Sequence, residues 1–193
     1  MATHEGNEVE IKFAVHDAAA LIATLGAAGF QQQTPSSFES NTLYDTAIGE
    51  LRSSGRLLRL RHYNLKWTLT HKSRGSAGRH KSRAEVETEV ANGEAMRAIL
   101  SALGYQASFR YEKYRAEWTD GVGEVVVDHT PIGVLAEIEG APEWIDRTAH
   151  ALGVEPSSYI TGSYAELFFA WRARTGSKAE NMTFAECGTP HPA

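Results

Sequence analysis

The stretch Glu8-Val9-Glu10-Ile11-Lys12-Phe13-Ala14 alternates charged and apolar residues. On a β-strand, successive side chains point to opposite faces. Glu8, Glu10 and Lys12 therefore line one side, and Val9, Ile11 and Phe13 the other. Two carboxylates about 7 Å apart with an ammonium beside them suit divalent cations and the phosphates those cations neutralise. One such strand also fits an ordinary sheet with a solvated face. Recurrence of the pattern is what makes it informative.

Arg59 and Arg61 share a face in Leu57-Leu58-Arg59-Leu60-Arg61. Lys66, Thr68, Thr70 and Lys72 alternate with Leu65, Trp67 and Leu69. Arg83, Glu85, Glu87 and Glu89 alternate with Ala84, Val86 and Val90. Lys113 and Arg115 stand two apart, Asp128 ends Val125-Val126-Val127, and Glu137 and Glu139 flank Ile138. Strands are expected over 37–45, 56–63, 65–72, 81–91, 105–118, 124–129 and 132–139. Helices are expected after Asp17 and Asn92, each closed by a glycine (Gly29, Gly104), then from Pro142 and from Ser163 with its capping-box partner Glu166. Glu8-Val9-Glu10 followed by the first helix recurs as Glu85-Val86-Glu87 followed by the second, a short internal repeat.

Many strands with one apolar and one ionic face permit two architectures. Either the ionic faces point outward around an ordinary core, or the sheet closes and they line a hydrated lumen under external helices. The second is favoured, because the ionic faces carry few of the neutral polar residues usual on outer surfaces. The amphipathic helices also need an apolar surface to cover, and closure removes sheet edges. Such a lumen could hold a polyphosphate anion on its basic wall and Mg²⁺ or Mn²⁺ on its acidic floor.

At 193 residues, with 42% hydrophobic and 22% charged residues, the chain reads as one globular domain over 1–175 with a C-terminal tail over 176–193. The net charge of −5 argues against non-specific nucleic-acid binding. A single cysteine, Cys187, excludes a disulfide framework. With no signal-peptide order at the start and no apolar run of spanning length, a cytoplasmic location and no membrane partner are expected. His62, His71, His80 and His129 lack metal-ligand spacing with one another. Trp118, Trp144 and Trp171 read as packing residues.

The ordered set Glu8-x-Glu10-x-Lys12, Leu58-Arg59-Leu60-Arg61, Leu69-Thr70-His71-Lys72, Arg83-x-Glu85-x-Glu87, Glu112-Lys113-Tyr114-Arg115, Val127-Asp128 and Glu137-Ile138-Glu139 resembles the CYTH superfamily, the triphosphate tunnel metalloenzymes. The resemblance runs from about Glu8 to Tyr164. It implies an α+β fold, an eight-stranded antiparallel closed β-barrel with a charged lumen and helices packed outside. It also implies a triphosphate-containing small molecule as partner, and leaves room for a homodimer. Members include class IV adenylyl cyclases and thiamine, inorganic and RNA triphosphatases.

By position, the resemblance assigns metal binding to Glu8, Glu10, Glu137 and Glu139, with Asp128 nearby and Glu85 and Glu87 supporting. Phosphates fall to Lys12, Arg59, Arg61, Lys72, Arg83, Lys113 and Arg115. Tyr44 matches a tyrosine that some triphosphatases pair with the lysine matched by Lys72, which makes these two the catalytic candidates. Class IV cyclases carry His two residues before the first Glu, where this chain has Gly6, and His4 is out of phase. Hydrolysis of a triphosphate is therefore expected ahead of cyclisation of ATP to cyclic AMP and pyrophosphate, or of polyphosphate or nucleotide binding without turnover.

Overall fold

A computed structural model describes residues 3–76 and 78–192, with side chains from Gly6 onward. The side chain of His4 lies outside these described residues. Eight strands are interspersed with short helices: β1 (Thr3–Val15), β2 (Gln31–Thr46), β3 (Leu57–Tyr63), β4 (Lys66–Lys72), β5 (Lys81–Val90), β6 (Tyr105–Thr119), β7 (Glu124–Thr130) and β8 (Gly133–Glu139). They close into an antiparallel barrel in the order β1-β5-β4-β3-β2-β6-β7-β8. Replacing each strand by the one four further along maps this circular order onto itself. The short repeat in the sequence thus corresponds to a twofold relation in the topology.

The repeat extends to local geometry. Helix α1 (Ala18–Ala27) is capped by Asp17, whose carboxylate accepts from the Ala20 amide at 2.9 Å. In the same way Asn92 caps α3 (Gly93–Ala102), accepting from Ala95 at 3.0 Å. Both helices are followed by a glycine at φ 89°, Gly29 and Gly104, in the left-handed region that a Cβ disfavours. Each strand–helix–strand half is therefore punctuated by the same residue chemistry.

Apolar faces point out of the barrel and helices cover them. Ile11, Phe13, Val125, Val127, Ala136 and Ile138 pack under Leu21 and Leu25 of α1 and under Trp144, Ile145 and Ala149 of α4 (Pro142–Ala151). Each fully buried Ile, Phe or Leu contributes roughly 1.5–3 kcal/mol. Leu100 of α3 packs on Leu60 and Tyr44, whereas Ile99 and Leu103 face solvent. A one-turn helix not expected from the sequence, α2 (Glu50–Ser53), is capped by Asp45, whose carboxylate accepts from the Leu51 and Arg52 amides.

Two boundaries differ from the sequence reading. Strand β2 begins at Gln31, six residues early, and crosses Pro35 through register shifts between Gln32 and Ser37. Proline has no N–H for the ladder, so irregularity is the means of passing it. The segment read as a tail is packed instead. Ala179, Met182 and Phe184 are buried, the last opening α6 (Phe184–Cys187).

The stagger of the barrel explains this packing. Strand β7 meets β6 only from Tyr114 onward, which leaves the backbone groups around Tyr111 without a neighbour on that edge. Met182 supplies them: its amide donates to Arg110 O at 3.0 Å, and its carbonyl accepts from the Glu112 amide at 2.9 Å. Ile160 pairs with Lys12 on β1 likewise. Helix α5 (Tyr164–Thr175), with the expected capping box at Ser163 and Glu166, lays Tyr164 and Phe168 against Phe109, Tyr111 and Leu135. Among the described residues, no helix is long and apolar enough to cross a membrane.

Candidate active site

The inward faces enclose a cavity of about 330 Å³ whose walls are almost wholly ionic. Every cation singled out from the sequence lines it: Lys12, Arg59, Arg61, Lys72, Arg83, Lys113 and Arg115. So do Glu8, Glu10, Glu85, Glu87, Glu137 and Glu139. Lys81, Glu117 and Glu124 join them, giving eight cations against eight carboxylates among the lining residues. The lumen is therefore near neutral overall, and its chemistry depends on how the charges are distributed.

One wall, from β3 and β6, is basic. Arg115 grips Asp128 through Nε at 2.8 Å and Nη2 at 2.6 Å, and reaches Glu137 at 2.6 Å. Lys113 donates to Asp128 at 3.0 Å and lies 4.6 Å from the centre of the Tyr164 ring. Arg59 donates to Thr70 at 3.2 Å and Tyr111 at 3.4 Å, and Arg61 to Glu87 at 3.0 Å. The Nε atoms of Arg59, Arg61 and Arg83 are buried without a hydrogen-bond partner, and among the described residues Arg83 makes no ion pair. Buried donors left open in this way suit an arriving anion.

The opposite floor, from β1, β8 and β7, is acidic. Glu10, Glu139 and Glu124 stand directly opposite one another across the three strands. Lys72 binds Glu8 at 2.5 and 2.6 Å and Glu85 at 2.9 Å. Burial works against the charged form of Glu10, yet Lys12 at 2.8 Å and Lys81 at 2.9 Å hold its carboxyl down at about 2. Glu139 behaves oppositely. Its residue keeps contact with solvent, but the protein around its carboxyl and the charges of Glu8, Glu10 and Glu137 push it up to about 8.

Among the described residues, no three acidic or imidazole groups already stand at metal-ligand spacing. The donor chemistry nevertheless fits a hard divalent cation. Glu139 makes no ion pair among the described residues, and the repulsion that raises its pKa is what a cation would relieve. Glu8, Glu10, Glu137 and Glu139 are the residues that would hold it.

Two sequence assignments take a different place. Tyr44 pairs with Leu58 in register and shares its outward face, packing on Leu60 and Leu100 rather than meeting Lys72 in the lumen. A register shift between Leu43 and Tyr44 accompanies this. Asp128 points inward as expected but has no exposed surface and does not line the cavity. Its two oxygens already accept from Lys113, Arg115 and Tyr164, the last a very short contact. It is a counter-ion for the basic wall, committed to three partners.

Lys81, Glu117 and Glu124 escaped the sequence reading although strand parity placed them beside Arg83, Arg115 and Asp128. Glu39 and Tyr111 gave a weaker signal. Glu39 has no charged residue two positions away on β2 and no exposed surface, while Tyr111 is an aromatic on a charged strand. Cys187 has its thiol pushed up by burial and by Glu186 and Glu112.

No curated protein matches the chain by sequence. Solved structures do match its fold. A protein of Vibrio parahaemolyticus, provisionally described as an adenylate cyclase, superposes with a TM-score of 0.74 at 19% identity, over 86% of this chain and 99% of that one. The PH1819 protein of Pyrococcus horikoshii gives 0.72 at 21% identity over 84% and 98%. HpAC1 of Hippeastrum, provisionally an adenylyl cyclase and described as having a dominant triphosphatase activity, gives 0.60 at 22% over 84% and 95%. The CYTH domain profile matches residues 6–151, most of the barrel. With its closed barrel and ionic lumen, the chain belongs to the CYTH domain family.

Proposed function

We propose that the protein is a metal-dependent hydrolase of a triphosphate held in the barrel lumen. The observation that carries this reading is one cavity lined by Arg59 and Arg61 of β3, by Arg83 of β5 beside Glu8, and by the carboxylates of β1 and β8. Arginine forks match phosphate oxygens, and removing water from the site strengthens every such contact. Lys12, Lys113 and Arg115 continue the basic wall, and Lys72 bridges it to the floor through Glu8 and Glu85. When bound at Glu8, Glu10, Glu137 and Glu139, Mg²⁺ or Mn²⁺ would supply positive charge against the phosphate oxygens. The triphosphatase described for the Hippeastrum neighbour supports the same direction. With Tyr44 outside the lumen, Lys72 alone keeps the catalytic candidacy, as an electrophile toward the phosphate chain.

A second cavity of about 620 Å³ opens beside the lumen and shares Leu57, Arg83 and Ser163 with it. It mixes Ile48, Phe109 and Phe169 with Gln106 and Ser108, and so has room and chemistry for an organic group. This favours an organic triphosphate over inorganic triphosphate, and it keeps cyclisation of ATP as the second reading. The test is a panel of inorganic triphosphate, ATP, GTP and thiamine triphosphate with Mg²⁺ or Mn²⁺, assayed for orthophosphate, pyrophosphate and cyclic nucleotide. Orthophosphate release that is lost in Glu8→Ala or Glu139→Ala, with folding intact, is expected. Cyclic AMP with pyrophosphate and no orthophosphate would instead establish the cyclase. No turnover of any of the four, with tight binding, would make the barrel a binding protein.

A further inference from the structure

Glu39 sits behind the basic wall with no exposed surface, and no role attaches to it from the sequence motifs. Four cations surround it. Lys113 Nζ is 3.5 Å from Oε1, Arg115 Nε is 4.0 Å from Oε2, and Arg61 and Arg59 contribute from further off. The one hydrogen bond it accepts comes from Asn41 Nδ2 at 2.8 Å, and Oε2 has no hydrogen-bond partner. Burial opposes its charge, yet Lys113, Arg115, Arg61 and Arg59 hold its carboxyl down at about 2, so it is an anion throughout the working pH range. A buried carboxylate whose charge is stabilised mainly at 3.5–4.0 Å is poorly bonded for a structural ion pair. It is well placed as a fixed negative charge that shares its cations with whatever enters the lumen.

We propose that Glu39 is a positioning residue that does two things to the basic wall: it orients Lys113 and Arg115 in the empty lumen, and it limits how tightly they hold a bound triphosphate. The inference rests on the reading of the lumen as a triphosphate site. Asp128 has its own hydrogen bonds from the same two cations, so Glu39 is the weaker partner, and its charge is the one that competes with phosphate. Limiting affinity has a use in turnover: a product gripped by Lys113 and Arg115 leaves more readily when a fixed anion competes for the same two cations.

Titration of inorganic triphosphate into wild type, Glu39→Gln and Asn41→Asp by calorimetry, with and without Mg²⁺, tests this. Glu39→Gln keeps the shape and removes the charge, so it is expected to bind about tenfold tighter or more and to turn over more slowly at saturation. Asn41→Asp adds a second carboxylate beside Glu39 and in register with Arg61, and is expected to bind about tenfold more weakly, which keeps the idea testable if Glu39→Gln fails to fold. A residue with a merely structural role gives the opposite sign, weaker binding in Glu39→Gln. That result, or affinities unchanged in both variants, would overturn the role given to Glu39. Absence of binding to wild type would instead refute the reading of the lumen itself.

Discussion

Replacing Asp128 separates a counter-ion from a metal ligand. Its carboxylate has no exposed surface and takes four contacts, two from Arg115 and one each from Lys113 and Tyr164. In Asp128→Ala, Lys113 would keep Glu39 at 3.5 Å and the Tyr164 ring at 4.6 Å, and Arg115 would keep Glu137 at 2.6 Å and Glu39 at 4.0 Å. Removing one partner of a buried ion pair costs about 3–5 kcal/mol, because the other charge stays desolvated. The remaining carboxylates put this case at the lower end, about 3 kcal/mol. In a domain of this size, each kcal/mol moves Tm by about 2–4 °C, so a fall of roughly 6–12 °C is expected. Asp128→Asn should do little better, since its amide N–H groups would face the same cations.

The assay is guanidinium and thermal unfolding by circular dichroism, in EDTA and again with Mg²⁺. The loss should be complete in EDTA, and Mg²⁺ should stabilise wild type and variant by similar increments. A variant as stable as wild type in EDTA, but no longer stabilised by Mg²⁺, would refute this reasoning and return Asp128 to the metal site.

Glu139, whose folded pKa of about 8 lies above its ordinary value of 4.5, binds its proton more tightly folded than unfolded. Its effect on metal-free stability is therefore a loss as pH rises from about 4.5 to about 8. The stability difference between Glu139→Gln and wild type should grow across that window, and a flat difference would contradict the raised pKa. Phe184→Ala removes a buried ring from α6 and should cost about 3–5 kcal/mol in denaturant unfolding; a change under about 1 kcal/mol would mean that the C-terminal segment does not stay docked. Leu65 holds φ 64° at the β3–β4 turn while 94% exposed, beside Asn64 at φ 49°. A left-handed conformation costs an L-residue about 1–2 kcal/mol, so Leu65→Gly should raise Tm by a few degrees, and an unchanged or lower Tm would argue against that backbone geometry.

The strand parity that begins with Glu8-Val9-Glu10 determined most of the architecture. With period two, a charged residue at one position commits its whole face, so spacing put Lys12, Arg59, Arg61, Lys72, Arg83, Lys113 and Arg115 on the ionic faces, and the scarcity of neutral polar residues there turned those faces inward. Helix limits were legible where caps are local chemistry, at Asp17, Asn92 and the Ser163–Glu166 box. Three things were decided only by tertiary structure. Tyr44 faces outward, following the register that pairs it with Leu58 and the shift beside it, and such pairing is set by two strands together. Asp128 and Glu139 are the same chemistry in sequence, yet one is held by three cationic or hydroxyl partners and the other is isolated among carboxylates. The C-terminal segment has no periodicity to read, because what docks Met182 is the unpaired backbone edge of β6 that barrel stagger leaves open. Alternation along a chain fixes which way a side chain points; which charges it then meets depends on how far each strand slides against its neighbours, and that is settled only when the barrel closes.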